Sequence, residues 1–99
     1  MSKMYSMQKA NKKEAVFFLY ILVCADKSLY TGIALDVKKR VIQHNEAKKG
    51  ARYTKTRRPV VLLYSKKCGT RSNALKREYA VKSMSRTEKL ALIKKKKAK

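Results

Sequence analysis

Acidic residues are scarce in this chain: six Asp and Glu stand among 99 residues, against 27 Lys and Arg and one His. Cysteine is sparse too. Cys24 and Cys68 lie 44 residues apart with no CxxC pair, and with one histidine they exclude a convincing zinc site. Both read as small core residues, in a chain suited to a reducing compartment. No apolar run reaches the length of a transmembrane helix. The stretch Ala15 to Ala25 follows a lysine-bearing start, as the apolar region of a signal peptide does. Glu14 abuts it, however, and Tyr20 interrupts it, so a buried strand is the expectation. No internal repeat is present.

What the chain has in abundance is positive charge, formally +21. A chain so basic repels itself unless it meets a polyanion. Nucleic acid is therefore the expected partner, DNA ahead of RNA, and an acidic membrane is disfavoured for want of an amphipathic anchor. Charge alone gives salt-sensitive, non-specific affinity and carries no chemistry. The length, with an apolar fraction of 44%, suits one small domain with one core. The division expected is a basic arm over residues 1–14, a folded unit over 15–93 and a disordered lysine-rich tail over 94–99. A cytoplasmic monomer is the simplest setting.

Val16 to Cys24 is apolar and rich in β-branched and aromatic residues, which suits a strand covered on both faces. Ala25 to Ser28 makes a turn, and Leu29 to Ile33 returns as a second strand. Gly32 lacks a Cβ, so backbone or substrate can come close there. Asp36 is placed to cap a helix running to about Lys48 and stopping before Gly50. Val37, Val41 and Ile42 form its expected buried stripe, with Arg40, His44 and Lys48 on the stripe beside it. Lys49 to Arg58 reads as a loop in which five basic residues surround Tyr53. Arg52, Tyr53, Lys55, Arg57 and Arg58, with Gly32 and Lys48, are the candidate nucleic-acid contacts. A third strand is expected over Val60 to Ser65, opened by Pro59. Thr70 caps a helix to about Ser83 with Ala74, Leu75, Val81 and Met84 inward, and Ser85 with Glu88 forms a capping box for a last helix anchored by Leu90, Leu92 and Ile93.

The short supply of acids narrows the search for a metal ligand. Asp26 sits in a turn, Asp36 and Glu88 serve helix ends, Glu14 lies in the arm and Glu46 on an exposed face. Glu78 stands on or beside the core-facing stripe with no local use. It is either one half of a buried salt bridge or the carboxylate of an Mg²⁺ or Mn²⁺ site completed by water and phosphate.

These residues resemble the GIY-YIG nuclease superfamily, and within it the small single-domain bacterial proteins of the UPF0213 type. The two signature tripeptides fall on Phe18-Leu19-Tyr20 and Tyr30-Thr31-Gly32, neither literal, with both tyrosines and Gly32 retained. The helix arginine falls on Arg40 and the metal-ligand glutamate on Glu78. The resemblance covers roughly residues 17–93. It implies an α+β fold of order β-β-α-β-α-α, a three-stranded antiparallel sheet flanked by helices. It also implies a metal-dependent phosphodiesterase in which Arg40 neutralises the scissile phosphate, Glu78 holds Mg²⁺ or Mn²⁺, and Tyr20 and Tyr30 position or deprotonate water. His44 lies near the phosphate in this scheme, and Asn45 is a weaker candidate. A free tyrosine titrates near 10, so a phenol serving as base near neutrality needs help of about 3–4 kcal/mol, which a cation and Arg40 can give. Core packing is the competing role for both tyrosines. The rival function is a basic nucleic-acid-binding module that keeps the fold and cuts little or nothing.

Overall fold

The computed structural model describes residues 15–46 and 50–97. The expected arm (residues 1–14), Lys48 and the last two residues lie outside them. The apolar run forms β1 (Phe17–Val23), which turns into β2 (Leu29–Ala34), followed by α1 (Val37–Asn45) and a short α2 (Arg52–Lys55). Then come β3 (Val61–Gly69), α3 (Arg71–Lys82) and α4 (Arg86–Lys97). The sheet has three strands in the order β2-β1-β3, with both pairings antiparallel. The most apolar strand thus takes the centre, where both faces are covered.

Alternation along β1 sorts the core into two layers. Leu19 and Ile21 face α3 and α4, packing with Tyr64, Val81 and Ile93. Tyr20 and Leu22 face α1 and join Cys24 and Val60, with Val37 and Val41 against them. Cys24 is a core residue as expected, whereas Cys68 is only partly buried at the margin of the first layer; both are free thiols. Ile21 is fully buried. Truncating such a side chain loses its transfer energy and leaves a cavity, so Ile21→Ala should lower unfolding free energy by roughly 2–5 kcal/mol. Urea denaturation followed by circular dichroism reads that loss directly.

Local chemistry sets the helix starts. The Asp36 carboxylate accepts the Lys39 N–H at 3.0 Å, and the Thr70 hydroxyl accepts the Asn73 N–H at 3.1 Å. Ser85 and Glu88 exchange both bonds of a capping box, at 2.8 and 3.1 Å.

Several expectations are corrected. α1 stops at Asn45, short of Lys48, because Glu46 is extended and Arg58 donates to the carbonyls of His44 and Glu46. Ile42 is exposed and His44 takes the buried place on α1. The basic loop contains a helical turn, α2. β3 begins at Val61 and continues to Gly69, beyond Ser65, because its polar residues lie on an edge strand that solvent can reach. Leu75 and Leu90 are exposed over about two-fifths of their surface, at 38% and 41%. Lys94 to Lys97 belong to α4, so the start of the lysine-rich tail is helical. None of the described helices is long and apolar enough to cross a membrane.

Candidate active site

The strand pairing opposes Tyr20 to Gly32 and Leu22 to Tyr30, so both tyrosines share the α1 face of the sheet. A Cβ at Gly32 would stand 2.5 Å from the Tyr20 hydroxyl and 2.7 Å from its Cζ. The room left by that glycine is thus filled by the Tyr20 phenol, which lies across β2 toward the sheet edge. Any side chain at position 32 displaces the phenol.

His44 reaches the same phenol from α1. Its Nε2 is 2.8 Å from the Tyr20 hydroxyl, and its Nδ1 is 2.9 Å from the Thr54 hydroxyl. The Thr54 hydrogen is committed to the Ala51 carbonyl at 2.9 Å. With the Thr54 oxygen accepting, His44 carries its hydrogen on Nδ1 and Nε2 accepts from Tyr20; the Ala51 N–H, which points at Nδ1 from 3.4 Å, favours the opposite tautomer but is the longest and weakest of these contacts. Tyr20, His44 and Thr54 are all buried. Gly50 makes this packing possible from outside, since a Cβ there would meet the His44 Cα at 2.8 Å.

Burial, with the positive charges of Arg40 and Arg58, holds the His44 imidazole down at about 4. Burial pushes the Tyr20 phenol up to about 12, with the Tyr30 and Glu78 charges adding to the rise and Arg40 opposing it through a hydrogen bond and its charge. Both groups are neutral between those limits. The unfolded chain binds a proton on histidine below about 6.5 that the fold excludes, so stability contributed by His44 is complete above that pH and is lost as pH falls toward 4. For Tyr20 the native state keeps its proton longer, so stability is present below about 10 and is lost as pH rises toward 12. Urea midpoints measured across pH should show a plateau between these two slopes, and His44→Gln should remove the acidic one.

Arg40 is the guanidinium of this cluster. It bonds the Tyr20 hydroxyl, and its Nη1 donates to the Gln43 amide oxygen at 3.0 Å. Glu78 comes from α3, on the other side of the sheet, and its charge still acts on the Tyr20 phenol at the β2 edge. Its side chain is 20% exposed and pairs with Lys82 one helical turn on, at 3.3 Å. Glu78 thus has a lysine partner on its own helix, and its charge reaches Tyr20.

Tyr30 is half-buried, with its ring edge-on to His44 at 5.1 Å and stacked on Tyr53 at 5.8 Å. Arg57 closes the row. Its guanidinium carbon is 3.9 Å from the Tyr53 ring centroid, while its N–H groups bond Asp26 at 3.0 Å and the Tyr53 carbonyl at 2.8 Å. Hydrogen bonds from Ser28, with Arg57 behind them, hold the Asp26 carboxyl below the usual range. Arg52 and Lys55 are exposed on α2 beside Tyr53. Arg58 is drawn inward to close the end of α1. Asn45 is structural: its amide accepts the Val60 N–H at 2.8 Å and donates to the Val60 carbonyl at 3.1 Å. The contribution of Thr54 was not visible in the sequence, where it is one polar residue in a basic stretch.

Among the described residues no three His, Cys, Asp or Glu side chains gather around a metal position. One carboxylate fits a hard cation that takes its other ligands from water and phosphate, as Mg²⁺ and Mn²⁺ do, and it does not fit zinc.

A model of the family described as the GIY-YIG catalytic domain matches residues 16–91, which span the tyrosines, Arg40, His44 and Glu78. The chain belongs to the GIY-YIG family. Its UPF0213 relatives include a protein of Desulfotalea psychrophila, 47% identical over 91 residues, covering 92% of this chain and 83% of the relative. One of Staphylococcus epidermidis is 57% identical over 76 residues, covering 77% of this chain and 92% of the relative. Two solution structures resemble this GIY-YIG chain. A UPF0213 protein of Bacillus halodurans is 38% identical with a TM-score of 0.52, over 80% of this chain and 83% of that one. A protein of E. faecalis is 32% identical with a TM-score of 0.60, over 87% and 91%. The α+β architecture expected of the GIY-YIG fold is the one observed.

Proposed function

We propose that this GIY-YIG chain is a divalent-metal-dependent endonuclease that hydrolyses a phosphodiester bond of DNA or RNA. The observation that supports this reading above others is the meeting of three groups at one phenol. Tyr20 is bonded by Arg40 and His44, and feels the charge of Glu78 from the opposite side of the sheet.

Tyr20 is poorly suited to be the base, because its phenol is buried and its pKa is pushed up to about 12. Its role is to fix geometry, donating its O–H to His44 Nε2 while its oxygen accepts from Arg40. Tyr30 is more open, and its hydroxyl is the better placed to take the proton of a water attacking phosphorus. Arg40, planar and permanently charged, binds the phosphate through paired N–H groups and offsets the charge that grows on its oxygens. Glu78 and the substrate phosphate together would hold Mg²⁺ or Mn²⁺. That cation, when bound, supplies positive charge that favours the phenolate of a nearby tyrosine and the developing negative charge on phosphate. Tyr53, Arg52, Lys55 and Arg57 flank this position as the strand-binding surface and contact the strand's phosphates and sugars.

The test is nicking of plasmid DNA and of a labelled RNA with Mg²⁺ or Mn²⁺. Cleavage should appear with metal and stop with chelator. Glu78→Gln should bind the same substrates as the wild type and fail to turn them over. Equal behaviour of the two proteins, with salt-sensitive binding and no cutting, would instead establish a binding module. The raised Tyr20 pKa and the Lys82–Glu78 pair favour that second reading.

A further inference from the structure

On the sheet face away from Tyr20 and His44, a cleft of about 340 Å³ opens between β3, α3 and α4. Its lining is Tyr64, Lys66, Arg77, Leu92, Lys95 and Lys96. Four of these six are cations and none is an acid. The Arg77 Nε is buried, and among the described residues it has no hydrogen-bond partner. Buried N–H groups are seldom left so, because the lost hydration is not recovered. Lys96 donates to the Ser65 carbonyl and stands 5.1 Å from the Tyr64 ring centroid. Four like charges around one hollow repel one another unless an anion enters.

The chemistry of the lining selects the anion. Tyr64 is 5% exposed and its ring is already approached by the Lys96 ammonium, so the cleft offers N–H donors and charge with no platform for a base. An oxyanion with several acceptor atoms satisfies Arg77 and the lysines together, which is the character of phosphate. The volume is that of a small-ligand site and admits a phosphate with its flanking sugars. Arg77 and Glu78 are neighbours on α3, about 100° apart around its axis. One flank of α3 therefore serves the candidate active site and another the cleft.

We propose that this cleft is a second phosphate-binding site, which grips the backbone of a nucleic-acid strand away from the position of cleavage. This rests on nucleic acid being the partner and not on the cutting of it. The full chain, ¹⁵N-labelled, is titrated with a dT20 oligonucleotide and separately with inorganic phosphate, following the Arg77 Nε–H and the Tyr53 amide by NMR. The oligonucleotide should move both resonances, and should still move Arg77 in Arg40→Ala. In filter binding of the dT20 oligonucleotide, K66Q/R77Q/K95Q should flatten the slope of log affinity against log salt by about 2, and K66Q/K95Q, which leaves Arg77 packed, by about 1.4. Movement of Tyr53 alone would overturn the cleft and leave the nucleic-acid reading intact. Movement of Arg77 with inorganic phosphate only would make this a site for the free ion and overturn the strand. No movement with the oligonucleotide would overturn both readings.

Discussion

Arg40→Ala should lower the rate of metal-dependent strand cleavage by about 10³-fold or more, the range in which a guanidinium stabilising transferred phosphate is known to act. That corresponds to about 4 kcal/mol or more of lost transition-state stabilisation. Arg40→Lys should recover little, since an ammonium cannot match two phosphate oxygens with a planar fork. Arg40 also bonds Tyr20 and Gln43, so part of any loss could come from a shifted phenol. Gln43→Ala separates the two effects, because it frees one guanidinium contact without touching the charge. Single-turnover cleavage of an end-labelled strand at saturating protein measures each variant. Cleavage by Arg40→Ala at the wild-type rate would remove Arg40 from the chemistry.

His44→Ala should be the most damaging single change to the fold around the site. It deletes a fully buried ring, and strands the Tyr20 hydroxyl and Thr54, which bond its two nitrogens. Cavity and unsatisfied polar groups together should cost roughly 3–5 kcal/mol, a large share of the 5–15 kcal/mol that holds a typical domain together. Thr54→Val tests the outer bond alone. It removes the acceptor for the Nδ1 hydrogen at nearly constant volume and should cost roughly 1–3 kcal/mol. Guanidinium chloride unfolding followed by tyrosine fluorescence reads both. Cleavage by Thr54→Val, assayed below its unfolding transition, should fall as well, because the imidazole is then free to turn its hydrogen away from Thr54 and stop accepting from Tyr20.

Legibility in the sequence followed the range of the interactions involved. Caps at Asp36, Thr70 and Ser85 are made by residues three apart, and the sequence alone located all three. The central strand was legible because burial on both faces leaves a continuous apolar run, and Gly32 was legible as a place of close approach. What approaches it was not. The Tyr20 phenol comes there by strand pairing, and His44 is buried through bonds to residues 24 and 10 positions away. Helical periodicity placed Ile42 inward and His44 on the neighbouring stripe, since a histidine earns burial only when both nitrogens find partners. β3 read as ending at Ser65 because Lys66 and Lys67 look like loop residues, and on an edge strand such side chains simply reach water. Glu78 was found by elimination among six acids, which works only in a chain this poor in them.

The Asn45 amide has a consequence for self-association. β3 is an outer strand, and such strands invite sheets of other molecules to add to them. At the approach to β3, one side chain occupies both the N–H and the carbonyl of Val60, and further along Lys96 occupies the carbonyl of Ser65. With Lys66 and Lys67 adding charge along the same strand, these points of the edge resist the addition of another strand.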